Sequence, residues 1–177
     1  MGNLVEATEN PQLADTDALM GELLTQIEQL ISQKNLLQPL VVGIHTGGVW
    51  IAKIIADHLQ APLGQLDIAF YRDDFSRHGL HPQVSPSSLP FDINDRNLIL
   101  VDDVIMSGRT IRAALNELFD YGRPASVSLV TLCSVNQREL PIQADACAVK
   151  LDLTPSQYVQ LTGPNPLTLS IIENRAS

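Results

Sequence analysis

The chain has 177 residues, 45% of them apolar and 18% charged, a balance that fits one globular domain with a real core and excludes a disordered chain. A formal charge of −9 and a pI near 4.7 argue against a general nucleic-acid binder, and no apolar run approaches the length that crosses a membrane. Cys133 and Cys147 fit no metal spacing; with no secretion signal visible they read as reduced core thiols, and the chain as cytoplasmic.

Residues 1–14 read as a flexible N-terminal arm ahead of a single domain, 15–177. Asp15 precedes ALMGELLTQIEQLISQ, where Leu19, Leu23, Leu24, Ile27, Leu30 and Ile31 follow the helical period. Leu40–Ile44 is a buried strand, Gly47-Gly48 a turn, and VWIAKIIADHLQ a helix ended by Pro62. Leu66–Tyr71 reads as the next strand. A polar segment, 72–97, follows, with Pro82, Pro86 and Pro90; a loop of that length in a compact domain is usually functional or mobile. Leu98–Val101 is a strand and Thr110–Tyr121 a helix, closed by Gly122 and Pro124. Val127–Cys133 is a buried strand. Short strands around Ala144–Lys150 and Leu167–Ile172 follow, separated by PSQ and TGPNP turns. Trp50 is expected in the core. Strands alternating with helices imply an α/β fold with a parallel central sheet, flanked by helices and topped by a small irregular hood.

The chemistry concentrates in Leu98–Thr110, LILVDDVIMSGRT. An apolar strand ends in two acids, a short turn follows, and Ser-Gly-Arg-Thr opens a helix. Backbone N–H groups at a helix N-terminus lack intrahelical partners and carry partial positive charge, so they bind phosphate. Gly108 allows close approach, Ser107 and Thr110 add hydroxyls, and Arg109 adds charge. Asp102 and Asp103 can accept hydrogen bonds from ribose hydroxyls or help to hold Mg²⁺ through oxygen ligands. Alone, VDD ends a strand and SGRT caps a helix; together, in one loop, they read as a sugar-phosphate site. Arg72, at a strand end, is placed to meet a diphosphate, and its long loop to close over the reacting centre. His78 and His81, in the same loop, read as solvated.

The segment resembles the phosphoribosyl-diphosphate (PRPP) motif of the type I phosphoribosyltransferases. YRDDFS at Tyr71–Ser76, the GRP at Gly122–Pro124 and RELPI at Arg138–Ile142 narrow the likeness to the pyrimidine-operon attenuator and uracil phosphoribosyltransferase family. That resemblance implies a type I phosphoribosyltransferase fold and conversion of uracil and PRPP to UMP and diphosphate, with Mg²⁺ as cofactor. It also implies some role in regulating pyrimidine synthesis. His45, Thr46, Gly47 and Gly48 would form the pyrophosphate loop. Asp102 and Asp103 would hold ribose, directly or through the metal. Val104, Ile105, Met106, Ser107, Gly108, Arg109 and Thr110 would complete the PRPP and nucleotide site. Asp102, Asp103 and Arg72 are the catalytic candidates. Enzymes for 6-oxopurines carry a carboxylate at the position of Met106, which argues against a purine substrate.

The chain departs from the family at Gly48 of the pyrophosphate loop and at Ser134-Val135-Asn136 and Ala146-Cys147-Ala148, the last two altering the base-binding hood. The alternative function is a non-catalytic sensor of uridine nucleotides or PRPP that regulates pyrimidine genes. The resemblance also implies a homo-oligomer. No DNA or membrane partner is expected. Asp15–Gln33 holds no Lys or Arg, so tight binding of a pyrimidine-leader RNA is not expected either.

Overall fold

The computed structural model describes residue 13 and residues 15–68 and 87–174. The expected arm at 1–14 therefore falls almost wholly outside the described residues, as do Tyr71, Arg72, Arg77, His78 and His81.

The elements run α1 (Thr16–Lys34), β1 (Leu40–Ile44), α2 (Gly47–Leu59), β2 (Leu63–Leu66), β3 (Asn97–Ile105), α3 (Arg109–Tyr121), β4 (Ser126–Val135), β5 (Ala146–Leu151), β6 (Gln157–Thr162) and β7 (Thr168–Glu173). The first five strands form one parallel sheet in the order β2-β1-β3-β4-β5. Helices cover both faces, so the central strands are apolar without alternation: all five residues of β1 are buried. One face carries Leu23 and Ile27 of α1 and Ile51 and Ile55 of α2 against Val41, Ile99, Val101 and Val130. On the other, Ile111, Ala114 and Leu118 of α3 meet Val42, Leu98, Leu100 and Leu129. The chain leaves β1 toward β2 on one side and toward β3 on the other. Ligands in such sheets lie beyond the carboxyl ends of the strands at that reversal.

Several boundaries differ from the sequence reading. The second strand is Leu63–Leu66; Asp67 and Ile68, where the sequence reading placed a strand over Leu66–Tyr71, lie outside it, and residues 69–71 fall outside the described residues. Pro62 feeds β2 into register, its carbonyl accepting the Val41 N–H at 3.0 Å, and Gly64 makes room for Leu89 and Phe91. Beyond Leu66 the backbone turns to residues 87–88: the Asp67 N–H donates to Ser87 Oγ at 2.9 Å, and Gln65 bridges to Ser88. Gly47 and Gly48 lie in the first turn of α2 rather than in a turn before it. β3 does not stop at Val101 but runs through both acids to Ile105.

The hood is an antiparallel hairpin of β6 and β7. The sequence reading missed β6 because QYVQLT alternates half-buried and exposed positions between two turn-rich stretches. The hairpin lies against the helical layer. The Leu169 N–H donates to the buried Thr16 hydroxyl at 3.0 Å, and a Cβ on Gly163 would stand 3.1 Å from the Trp50 ring. Trp50 is accordingly half-buried under the hairpin, not in the core.

Candidate active site

The β1–β3 ladder ends at Gly43↔Val101, whereas β3 and β4 stay paired to Ile105↔Ser134. Asp102 and Asp103 thus project from a strand that is still held on one side and has lost its neighbour on the other. The Asp102 side chain is buried, and its Oδ1 accepts the Asp103 N–H at 2.9 Å; Asp103 Oδ1 accepts the Val104 N–H, also at 2.9 Å. These local bonds orient both carboxylates.

The space that β1 leaves is taken by the start of α2. A Cβ on Gly47 would lie 2.5 Å from Asp103 Oδ2, and one on Gly48 only 2.6 Å from the Val101 carbonyl oxygen and 3.0 Å from Asp102 Cα. Only glycine allows this approach, which brings the N-terminus of α2 against the acid pair. His45 anchors the loop from behind: its N–H donates to the Leu66 carbonyl at 2.9 Å, and its ring Nε2 is 2.8 Å from Gln65 Oε1. Thr46 is exposed, and the His45–Thr46 peptide is cis.

On the far side of the acids, residues 106–108 turn into α3. Gly108 is its N-cap, with φ +95, in the region that L side chains avoid. Ser107 Oγ accepts the Arg109 N–H at 3.2 Å, and Met106 is exposed. The acid pair therefore sits between two helix N-termini, whose partial positive charges favour an anion in this crevice. The structure brings Gly47 and Gly48, which follow His45 and Thr46, against Asp102 and Asp103, and Val104–Thr110 leads from the acids into α3. The Arg109 Nε is 2.9 Å from Glu139 Oε2, so its charge is shared with a carboxylate. Arg72 lies outside the described residues.

A cavity of ≈ 200 Å³ opens beside the loop, lined by Ile105, Met106, Ser134, Asn136, Arg138 and Lys150, among others. Sequence reasoning named Asn136 only as part of a departure from the family and did not single out Lys150. Nothing marks Lys150 as a site residue until the register Ser134↔Lys150 carries β5 beside the end of β4. The two thiols take no part in charge chemistry. Burial, then the neighbouring Cys147 and Asp103, push the Cys133 thiol up to about 12, and burial also raises Cys147. Both stay protonated at neutral pH, which suits core packing rather than nucleophilic attack.

The family model of the phosphoribosyl transferase domain matches residues 12–164. A protein of Nitrosococcus oceani named bifunctional protein PyrR is 54% identical over 165 residues, covering 91% of this chain and 93% of the relative. A protein of the same name from Pseudomonas syringae is 52% identical, over 86% of this chain and 91% of the relative. The chain belongs to the PyrR family of phosphoribosyltransferases. Among solved structures, a hypoxanthine phosphoribosyltransferase of Trypanosoma cruzi superposes with a TM-score of 0.67 at 18% identity, over 98% of this chain and 95% of that one. A hypoxanthine-guanine phosphoribosyltransferase of Bacillus anthracis gives 0.67 at 15% identity, over 95% and 100%. At those identities the likeness establishes the type I phosphoribosyltransferase fold. Among the described residues no helix is long and apolar enough to cross a membrane.

Proposed function

We propose that this PyrR-family chain transfers a phosphoribosyl group from PRPP to uracil, giving UMP and diphosphate, and that it serves in the control of pyrimidine synthesis. The observation that carries the reading is the acid pair held between two glycine-opened helix N-termini. In it Asp102 and Asp103 take the ribose hydroxyls, Met106–Thr110 the 5′-phosphate, and His45–Gly48 the diphosphate, with Arg72 assisting. Uracil N1 forms the bond to the anomeric carbon as the bond to diphosphate breaks, and the proton of N1 is released. The protein's part is to fix the two reactants and to oppose the charge that develops, for which it needs no nucleophile.

Mg²⁺ fits the donors present. Asp102 and Asp103 are hard oxygen ligands, and no group of three or more metal-binding side chains occurs among the described residues. Mg²⁺ characteristically takes one or two carboxylates and completes its shell with water and substrate oxygens. When bound, it would neutralise charge on the departing diphosphate.

The base is placed in the cavity beside Ile105 and Met106, where Asn136, Lys150 and Arg138 offer donors to the ring carbonyls. Met106 has no proton to exchange, which supports a pyrimidine over a 6-oxopurine. Cytoplasmic residence accords with two unpaired cysteines, and a homo-oligomer with the family likeness. The test is incubation with PRPP, Mg²⁺ and either uracil or hypoxanthine. UMP formed from uracil alone is the expected result. Tight UMP binding without turnover would favour a sensing regulator, and no binding of PRPP would remove both readings.

A further inference from the structure

We propose that residues 138–142, which cross the outer side of the phosphate loop, are a positioning clasp that aims the Gly108 N–H at the bound phosphate. The inference rests on the reading of Met106–Thr110 as the 5′-phosphate site. Three contacts define the clasp. The N–H groups of Glu139 and Leu140 both donate to the Ser107 carbonyl, each at 3.1 Å. Gly108 packs on the same segment, so that a Cβ there would stand 3.4 Å from the Cβ atoms of both Leu140 and Ile142. Arg109 reaches back to Glu139.

Ser107 C=O and Gly108 N–H belong to the same planar peptide unit, and in a trans unit they point in opposite directions. Two donors that pin the carbonyl toward residues 139–140 therefore turn the Gly108 N–H away from that segment and toward the crevice. A single acceptor taking two donors leaves this peptide plane little freedom to rotate. The left-handed φ of Gly108, which a glycine adopts without penalty but which it also leaves readily, is thus held from outside the loop. An N–H aimed in advance costs no reorganisation when the anion arrives. RELPI, which in the sequence marks only a resemblance, acquires a physical task here: its backbone supplies the donors and Leu140 and Ile142 the backing.

The experiment compares UMP with uridine, which lacks the phosphate, by titration followed in ¹⁵N–¹H spectra. It uses the wild-type chain, Leu140→Pro and Leu140→Ala. Leu140→Pro removes one of the two donors; Leu140→Ala keeps both the N–H and the Cβ that faces Gly108. In the wild type, UMP is expected to bind at least tenfold more tightly than uridine and to shift the Gly108 amide, which uridine does not. Leu140→Pro should lose tenfold or more for UMP and keep uridine within twofold, while Leu140→Ala stays within threefold for both. UMP affinity within twofold of wild type in Leu140→Pro would overturn the clasp. Equal binding of UMP and uridine by the wild type would instead show that the phosphate reading itself is wrong, and the clasp would fall with it. Should Leu140→Pro not fold, hydrogen exchange on the wild type decides. Binding and pinning are linked, so saturating UMP must slow exchange at the Glu139 and Leu140 amides by tenfold or more, and uridine must not. Unchanged exchange under UMP would sink the proposal.

Discussion

Gly47 and Gly48 open α2, and Gly108 opens α3, but the two sets of glycines answer different needs. Gly47 and Gly48 have ordinary backbone angles and no room: what would meet a side chain there is the Asp103 carboxylate on one and the β3 backbone on the other. Gly108 has more room and an unusual angle, φ +95, with its nearest neighbours at ordinary contact distance. One loop is defined by how closely it can approach the acid pair, the other by the direction in which its peptide points. A glycine in a phosphate loop is therefore not one kind of requirement, and substitution should separate the two.

The largest expected effect comes from the element that both loops face. Asp102→Asn with Asp103→Asn keeps the shape and the oxygen that accepts the next N–H, so the melting temperature should move by only a few degrees. Charge-assisted contacts to ribose and metal are worth about 1.5–3 kcal/mol each, so losing both should cut kcat/KM for PRPP by ~10²-fold or more. Steady-state kinetics beside a thermal melt reads both quantities. Wild-type PRPP binding in the double variant would make the acids structural.

Next come the glycines themselves. Gly48→Ala drives a Cβ into the Val101 carbonyl, where neither side is a flexible chain end, and β3 and α2 must separate. Overpacking of this kind costs about 1–3 kcal/mol in stability, and the displaced loop should also lose most of its PRPP affinity. Gly108→Ala meets no such wall but must hold a left-handed angle, at a cost of about 1–2 kcal/mol. About tenfold weaker UMP binding, with uridine unaffected, is the expected signature. Equal losses from Gly48→Ala and Gly108→Ala for phosphate-free ligands would erase the distinction between the loops.

The same contrast explains what the sequence made legible. α1, β1 and α3 follow from apolar period and from a turn residue placed beside each end, and they agree with the structure to within two residues. The phosphate motif is local, thirteen consecutive residues, and so it survives being read in one dimension. What was missed depends on pairing between distant segments. β3 runs through the acids only because β4 continues beside it, and no feature of VDDVI announces that. β2 is displaced because Pro62 and Gly64 weaken its strand signal, although they are what set its register and make space for Phe91. Likewise, nothing in SGRT announces that Glu139, thirty positions on, stands beside Arg109.

That ion pair yields a smaller prediction. Arg109 and Glu139 are about half exposed, so solvent screens them, and pairs of this kind contribute about 0–1 kcal/mol. Glu139→Gln keeps the backbone donors of the clasp and should change stability by less than 1 kcal/mol. PRPP affinity should change less than threefold, in the direction of tighter binding, because Arg109 regains its full charge beside the phosphate. A tenfold loss would show that the side-chain pair, not the backbone, carries the brace.

The smallest expected effect concerns RNA, and it follows from the contrast between α1 and the two site helices. α2 and α3 open on glycine beside an anion crevice, whereas α1 opens behind Asp15 with Asp17 in its first turn. Carboxylates there oppose the positive end of the helix, so this third N-terminus attracts no phosphate. Along α1 no basic residue appears until Lys34, and its ammonium is 2.9 Å from Asp145. Elsewhere the described cations are dispersed: Arg109 pairs with Glu139, Arg96 reaches the Gln38 carbonyl and Arg138 reaches Gln143, while Lys53, Arg112, Arg123 and Lys150 are spread over α2, α3, the turn after it and β5. RNA affinity needs several unengaged cations on one face to displace counterions from phosphates, and sequence-specific RNA recognition usually adds aromatic or Arg stacking on unpaired bases. With 11 basic residues against 20 acidic, we expect no tight binding of a pyrimidine-leader RNA at physiological salt, with or without UMP. Filter binding across a salt series checks this. Nanomolar affinity that rises with UMP and falls steeply with salt would mean that a basic surface assembles from residues outside the described segments or between copies of the chain. The regulatory half of the function would then act through RNA, whereas its absence leaves UMP and PRPP occupancy as the signal.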